Sequence, residues 1–290
     1  DWMAAEGAGY PYALVAHLIT GDLAIANLEG ALTERGDPWP KGYTFRTPPR
    51  FAPGLRDAGF DLVSLANNHA MDYGVVGLQD TLAALDDAGV AYAGAGTDAA
   101  AAWAPVTLRA EGLTLAVVAC ALTPDEGGGF SIASWSATES SPGMAVCTTD
   151  ALAGAVTAAS EAADFVVAYV HAGDEYIRTP SATQRMLAEA ALAAGADAYI
   201  GHHAHVVQPV EQRGGQLVAW GLGNFIFDLD PVDLANIPEP RVSLILNVTF
   251  TEGAGVTAWE AVPVVLDAGA DRPRPATAAD AGALHALLVP

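Results

Sequence analysis

The chain has 290 residues, of which 52% are hydrophobic and 16% are charged, a composition typical of a folded protein with a large core. It carries 34 acidic against 12 basic residues, a formal net charge of -22, and Lys41 is its only lysine. Nucleic-acid binders need clustered basic residues that neutralise phosphates, so this charge excludes nucleic acid as a partner. The longest apolar run is about ten residues, against roughly 20 for a transmembrane helix, so no membrane segment is expected in the given chain.

Strand and helix patterns alternate through the first two hundred residues, which predicts an α/β architecture. The predicted strands cover residues 23–28, 62–66, 90–92, 113–121, 165–170 and 198–200. The predicted helices cover residues 49–58, 74–88, 150–163 and 181–194, and Gly89 ends the second of them.

The last third of the chain has a different pattern. Strands are predicted over 217–220, 242–250 and 256–266 without helices between them, which indicates a second sheet packed against the first. We therefore expect one domain over residues 1–266, followed by a linker and a short helix over 267–290. The Gly- and Ser-rich segment 123–143 is predicted to be a long surface loop, in which Asp125 and Glu126 are solvated.

The two cysteines, Cys120 and Cys147, have neither CxxC spacing nor a histidine at zinc-finger distance. This pattern indicates no disulfide scaffold and no thiolate chemistry. Because free cysteines are often buried, we expect both to be small apolar core residues.

Polar residues that can bind a metal or transfer a proton follow four of the predicted strands. In an open α/β sheet, ligands bind outside the carboxyl ends of the strands, so we expect these residues to converge on one crevice. They are Glu29, the run Asn67-Asn68-His69 with Asp72, His171 with Asp174 and Glu175, and the run Gly201-His202-His203-Ala204-His205.

His203 and His205 are the strongest candidates for metal ligands in this set. Their spacing of two lets both imidazoles face one centre from an extended turn, and Gly201 allows a close backbone approach. Carboxylate, amide and imidazole groups without thiolate favour a divalent ion such as Mn, Zn, Fe or Ca, at one or two sites. No organic cofactor is expected.

Five segments of the chain resemble the CapA family, the capsule or poly-gamma-glutamate synthesis group within the calcineurin-like metallophosphoesterase superfamily. The resemblance implies an α/β (α+β sandwich) fold of the calcineurin-like metallophosphatase type, with two β-sheets packed together and flanked by helices. The segments are Asp22-Leu-Ala-Ile-Ala-Asn-Leu-Glu29, Ser64-Leu-Ala-Asn-Asn-His-Ala-Met-Asp-Tyr-Gly74, Val170-His-Ala-Gly-Asp-Glu-Tyr176, Gly201-His-His-Ala-His-Val-Val-Gln-Pro209 and Gly221-Leu-Gly-Asn-Phe-Ile-Phe-Asp228.

The resemblance also implies roles for individual residues. His69 is expected to be the acid/base histidine, and Asp1 a carboxylate at or next to the metal, delivered by a strand that precedes it. The implied metal-site residues are Asp1, Glu29, Asn68, His171, His203 and His205. We therefore expect residues upstream of Asp1 in the natural protein. A cytoplasmic location is favoured, or an extracellular or membrane-anchored one if those residues carry a signal.

Two positions depart from the pattern of phosphoesterases of this fold and argue against two-metal phosphoester hydrolysis. Those enzymes have a histidine two residues after the first aspartate, where this chain has Met3. Their second motif uses aspartate, where this chain has Glu29.

Three functions are compatible with the sequence. The favoured one is a metal-dependent peptide epimerase of the lasso-peptide or ribosomal-peptide tailoring type, which inverts a Cα centre by two-base chemistry. Its candidate pairs are His69 with Asp1 or Asp72, and His205 with Asp228. The alternatives are a poly-gamma-glutamate capsule synthesis factor, which binds a polyglutamyl chain, and a metallophosphoesterase.

Two basic residues stand near aromatic residues in the sequence. Lys41 and Arg46 could hold the carboxylate of a peptide substrate, with a solvated role as the alternative.

Overall fold

The computed structural model describes residues 2–126, 129–237, 241–267, 269 and 272–288. The strands are β1 (Ile25–Asn27), β2 (Ala31–Leu32), β3 (Arg46–Thr47), β4 (Leu62–Ser64), β5 (Ala91–Ala93), β6 (Ala95–Gly96), β7 (Val106–Ala110), β8 (Leu113–Leu122), β9 (Gly143–Met144), β10 (Phe165–Ala172), β11 (Ala198–His202), β12 (Val210–Arg213), β13 (Gln216–Ala219), β14 (Val242–Thr251), β15 (Gly255–Val265) and β16 (Arg274–Pro275). The α-helices are α1 (Trp2–Glu6), α2 (Pro53–Asp57), α3 (Gly74–Ala88), α4 (Ala99–Trp103), α5 (Thr149–Ser160), α6 (Ala182–Ala193), α7 (Pro231–Asn236) and α8 (Ala278–Leu288).

The largest sheet has six strands in the order β12-β13-β11-β10-β8-β7. The four inner strands are parallel, and antiparallel β12 and β7 form its two edges. Strands covered on both faces are continuously apolar, and every residue of β10 is buried. Helices α5 and α6 cover one face, where Leu152 and Leu187 pack against Val118 and Val170.

The opposite face of this sheet contributes to a second core cluster. Because side chains alternate along a strand, Val117 and Tyr169 face this cluster, whereas their neighbours face α5 and α6. Here they meet Leu62 of the parallel sheet β1-β4-β5 and Leu78 of α3. Gly89 ends α3 in the left-handed conformation at φ 68°, as the sequence predicts. The expected mixed α/β fold with helix-flanked sheets is confirmed.

The predicted second sheet is only partly as expected. β14 and β15 form a long antiparallel hairpin to which β16 adds. The predicted strand 217–220 was assigned to this sheet wrongly, because β13 pairs in parallel with β11 in the six-stranded sheet. A short helix, α7, also lies between β13 and β14, and it begins with an Asp230 capping box. The division of the chain at residue 266 stays a prediction.

The predicted burial of both cysteines is confirmed, but the expectation that they form no disulfide is wrong. Cys120 in β8 and Cys147 form a disulfide across a sequence separation of 27 residues, and both are buried. The local sequence carries no signal for this bond, because the two residues come together only when the segment between them folds back on β8.

The segment 123–143 packs into the protein more than a surface loop would. Of its described residues, Phe130, Ile132 and Trp135 are buried, and a 3-10 helix spans Ile132–Trp135.

Among all described residues, no helix combines the length and apolar character needed to span a membrane.

Candidate metal centre

The candidate ligands converge where the strands end. β10 and β11 are parallel neighbours, and His171 is in register with His202, so His203 follows directly at the carboxyl end of the sheet. The chain that leaves β1 delivers Glu29, and the turn after β4 delivers Asn68. Topology therefore brings together side chains that are far apart in sequence, as the sequence predicts.

Glu29, His203 and His205 each offer a ligand atom, and these atoms lie within 4.8 Å of one another. The Nε2 atoms of His171 and His205 are each 3.8 Å from Oε1 of Glu29. Oε1 of Glu29 and the Nδ1 atoms of His171 and His203 are buried without a hydrogen-bond partner. Because buried polar atoms are normally paired, these unpaired atoms and this donor set fit a divalent cation.

The imidazoles of this cluster are held in the form that binds a metal. Burial, followed by the neighbouring His205, lowers the pKa of His203 to about 3. Burial likewise holds the pKa of His171 well below its usual value, with His203 as the next cause. A neutral imidazole keeps a lone pair for the ion, so neither residue needs to lose a proton on binding at pH 7.

The backbone of the histidine turn is held in an uncommon conformation. His203 and His205 have φ angles of 90° and 55°, in a region that non-glycine residues rarely adopt. Such backbone strain clusters at functional sites. Gly201 is needed before them, because a Cβ atom at this position would overlap with the carbonyl oxygen of Trp220.

Asn224 orients His205. Nδ1 of His205 lies 2.8 Å from Oδ1 of Asn224, so it donates a proton there and leaves its Nε2 lone pair towards Glu29. An outer partner of this kind is typical of metal-bound histidines. His205 and Asp228 do not form the expected pair, because Asp228 is exposed. Asn224 lies in a segment that carries the resemblance, but the sequence gives no reason to choose its amide.

Two further asparagines support the carboxylate. Nδ2 of Asn27 donates to Oε2 of Glu29 at 3.0 Å, and Nδ2 of Asn67 donates to Oδ1 of Asn27 at the same distance. Oδ1 of Asn67 accepts from the backbone N–H of His69 at 3.0 Å. This chain of hydrogen bonds links the position of Glu29 to that of His69. Asn67 belongs to the predicted cluster of polar residues, but the sequence does not predict this supporting role for it or for Asn27.

His69 and Asp72 form a buried pair. Nδ1 of His69 lies 2.7 Å from Oδ2 of Asp72, which also accepts the backbone N–H of Phe45 at 2.6 Å. The Phe45 ring lies 4.2 Å from the His69 ring. Asp72 thus fixes the tautomer and direction of the imidazole, as expected of the carboxylate behind an acid/base histidine.

Asn68 connects this pair to the ligand cluster. Its Oδ1 lies 2.9 Å from Nε2 of His171, and its Nδ2 donates to Oε1 of Glu126 at 2.8 Å. Glu126 is therefore not the solvated loop residue that the sequence predicts. The side chain of Lys41 is fully buried and pairs with Asp72 at 3.1 Å. It is thus neither solvated nor free to hold a substrate carboxylate.

Of the remaining predicted residues, Arg46 stacks on the Tyr73 ring at 4.7 Å, and Asp174 is exposed. Glu175 lies near the ligand cluster. Burial raises its pKa, and the neighbouring His205, Glu126 and Glu29 also act on it electrostatically. Asp1 lies outside the described residues, so its predicted roles stay predictions.

A cavity of about 920 Å³ includes Glu29, His203 and His205 in its lining. Much of the rest of its wall is apolar, and the chain around β1 and β14 contribute to it together with aromatic rings such as Phe60 and Phe165. The ligand cluster is therefore accessible from a space large enough for several residues of a peptide chain.

Comparison with known proteins identifies the family of this chain. The family described as "Bacterial capsule synthesis protein PGA_cap" matches residues 4–229. The chain is 37% identical over 175 residues to the "PGA biosynthesis protein CapA" of Bacillus subtilis, a match over 60% of this chain and 44% of that protein. It is 28% identical over 252 residues to a "Probable polyglutamine synthesis accessory protein" of Mycobacterium tuberculosis, covering 84% and 66%.

A solved structure, a hypothetical protein from Thermus thermophilus, matches with a TM-score of 0.53 and 21% identity over 84% of this chain and 87% of that one. At this identity the likeness shows the fold alone. The chain spans less than half of the Bacillus protein. Since the family match covers most of the chain, including Glu29, His69, His171, His203 and His205, the protein belongs to the bacterial capsule synthesis PGA_cap family.

Proposed function

We propose that this protein is a metal-dependent enzyme of capsule synthesis that acts on a peptide chain by acid/base chemistry. One observation carries the proposal. Buried imidazoles and a carboxylate oxygen lack hydrogen-bond partners, and one of these imidazoles, His171, contacts Asn68, the residue directly before the oriented His69–Asp72 pair. A divalent ion would satisfy the unpaired imidazole and carboxylate atoms, and the His69–Asp72 pair is arranged for proton transfer.

Glu29, His203 and His205, joined by Asn68 and His171, would hold the divalent ion. A bound ion supplies Lewis acidity that polarises a carbonyl oxygen. His69 would take a proton from the substrate or return one, while Asp72 stabilises the imidazolium form.

The proposed substrate class is a glutamyl peptide, such as a poly-gamma-glutamate chain. The relatives' names support this class, since they refer to PGA biosynthesis and to polyglutamine synthesis. The net charge of -22 repels a polyanion from most of the surface, so an ion at Glu29 would have to offset that repulsion locally.

The finer proposal for the reaction is epimerisation at a Cα atom. The His69–Asp72 pair supports it, because a positioned base is what removal of a Cα proton requires. Inversion also needs a second group that returns a proton from the opposite face, and Asp1 is the candidate that the sequence pairs with His69. Phosphoester hydrolysis is less favoured, because the only lysine is already paired with Asp72 and Glu126 and cannot hold a phosphate.

The test is incubation of the Mn²⁺- or Zn²⁺-loaded protein with a γ-glutamyl oligopeptide in D₂O, followed by mass spectrometry. We expect deuterium at Cα, and about a 100-fold or greater loss of rate in His69→Ala. His17→Ala is the matched control, because His17 is exposed and should leave the rate unchanged. The proposal would be contradicted if the protein hydrolysed an aryl phosphate in a metal-dependent reaction but showed no deuterium uptake and no peptide cleavage.

A further inference from the structure

Lys41 is the only lysine of the chain, and its side chain is fully buried. Its ammonium group donates to the backbone oxygen of Asn68 and forms ion pairs with Oδ1 of Asp72 at 3.1 Å and Oε1 of Glu126 at 3.6 Å. The backbone oxygen of Asn68 thus accepts one hydrogen bond from the ammonium group, and two carboxylate oxygens face its charge. The rings of Phe130 and Trp135 cover it at 4.8 and 5.1 Å.

We propose that Lys41 and Glu126 form a positioning bridge that sets the direction of the Asn68 side chain at the metal centre. The inference rests on the proposed function to the extent that it treats Asn68 as a metal ligand. The bridge consists of the pair between Lys41 and Glu126 and the hydrogen bond from Asn68 to Glu126.

The bridge acts through the two ends of the Asn68 amide. An amide can turn over and exchange its oxygen and nitrogen, so the partners of both atoms decide which end faces the site. A carboxylate accepts hydrogen bonds only, so Glu126 takes Nδ2 of Asn68 and leaves Oδ1 towards His171. Oxygen, and not the amide nitrogen, is the atom that can bind a cation.

Lys41 holds the Glu126 carboxylate in the position where it accepts Nδ2 of Asn68. The two residues are far apart in sequence, and each is anchored by its own surroundings. The backbone N–H of Trp39 donates to the carbonyl oxygen of Asp72 at 2.7 Å, and that of Glu126 donates to Phe130 at 2.9 Å. The Trp39 and Trp135 rings pack at 5.5 Å, which joins the two segments on their apolar side.

The charge of Lys41 gives a reason for lysine at this position. Asp72 and Glu126 both face the same buried ammonium group, and without it two carboxylates would share a poorly solvated space. For this reason the substitutions that test the bridge are made at Glu126, whose side chain is 21% exposed, and not at Lys41.

The test compares Glu126→Ala, Glu126→Gln and the wild-type protein by calorimetric titration with Zn²⁺. We expect Glu126→Ala to weaken Zn²⁺ binding about 10-fold or more, as is typical for partners of metal ligands. Glu126→Gln keeps an oxygen for Nδ2 of Asn68 but loses the charge opposite Lys41, so its affinity should be intermediate. Glu34→Ala is the control, because Glu34 pairs with Arg50 on the surface.

A second readout uses the single lysine. Protein labelled with ¹⁵N-lysine should give one Nζ signal with slow proton exchange, which shifts on addition of Zn²⁺ and in both Glu126 variants but not in Glu34→Ala. Rapid exchange typical of a solvated ammonium group would overturn the proposal. So would wild-type Zn²⁺ affinity in a Glu126→Ala protein whose urea midpoint is unchanged.

These outcomes separate the bridge from the proposed function, because neither readout involves a peptide. Weaker Zn²⁺ binding in Glu126→Ala, together with no peptide reaction in the wild-type protein, would support the bridge and refute the enzyme. Deuterium uptake by the wild-type protein, together with unchanged Zn²⁺ affinity in Glu126→Ala, would support the enzyme and refute the bridge.

Discussion

The disulfide between Cys120 and Cys147 should contribute measurably to stability. It closes a loop with a sequence separation of 27 residues. The chain-entropy relation gives a loss of about 12 cal/mol/K for a loop of this size, or about 3.5 kcal/mol at 25 °C. Because a domain is stable by only about 5–15 kcal/mol, this is a large share of the total.

The assay is urea unfolding of the oxidised protein and of the Cys120→Ala/Cys147→Ala variant, with thiol counting under denaturing conditions. We expect no free thiols in the oxidised wild type and a free energy of unfolding lower by about 3.5 kcal/mol in the double variant. Two reactive thiols in non-reduced, denatured protein would refute the bond. A difference below about 1 kcal/mol would refute the loop-closure reasoning.

The bond also bears on location. Disulfides persist in oxidising compartments and are rare in the cytosol, so the pairing favours an extracytoplasmic site over the cytoplasmic one expected from the sequence. Both locations stay predictions.

Two further predictions concern the histidine turn. Metal-free protein should lose stability as the pH falls below 6.5, because the unfolded chain binds protons that His202 and His203, whose pKa burial lowers to about 3, do not. At about 1.4 kcal/mol per pH unit and group, these two residues alone give a loss of about 4 kcal/mol at pH 5. The lowered pKa of His171 acts in the same direction, and equal urea midpoints at pH 7 and pH 5 would contradict the prediction. Gly201→Ala should destabilise by about 1–3 kcal/mol or more, because the added Cβ atom would meet the Trp220 carbonyl oxygen. Gly154→Ala in α5, with open space around it, should stabilise by about 0.5–1 kcal/mol, and similar urea midpoints in the two variants would show the clash to be absent.

Much of the architecture could be predicted from local pattern. The buried strands β8 and β10 are continuous apolar runs, and α3 ends at a glycine, so periodicity and composition were sufficient to place them. The strand β13 was assigned to the wrong sheet because pairing partners are non-local: a short apolar run can add to either sheet, and only packing against β11 decides.

The candidate site divides in the same way. The sequence predicts that Glu29, Asn68, His171, His203 and His205 meet, because each lies at or after the end of a strand. The strand ends belong to two sheets, however: Glu29 and Asn68 follow β1 and β4 of the three-stranded sheet, whereas His171 and His203 lie at the end of the six-stranded sheet. Only the packing of these two sheets brings the two sets together.

The groups that support that cluster became visible only in the folded chain. Asn224 and not Asp228 contacts His205, Lys41 is buried instead of solvated, and Cys120 pairs with a distant cysteine. These contacts join residues from separate loops. Loop residues have no periodicity that indicates burial. The residue type alone does not show whether an amide, an ammonium group or a thiol faces water or a partner.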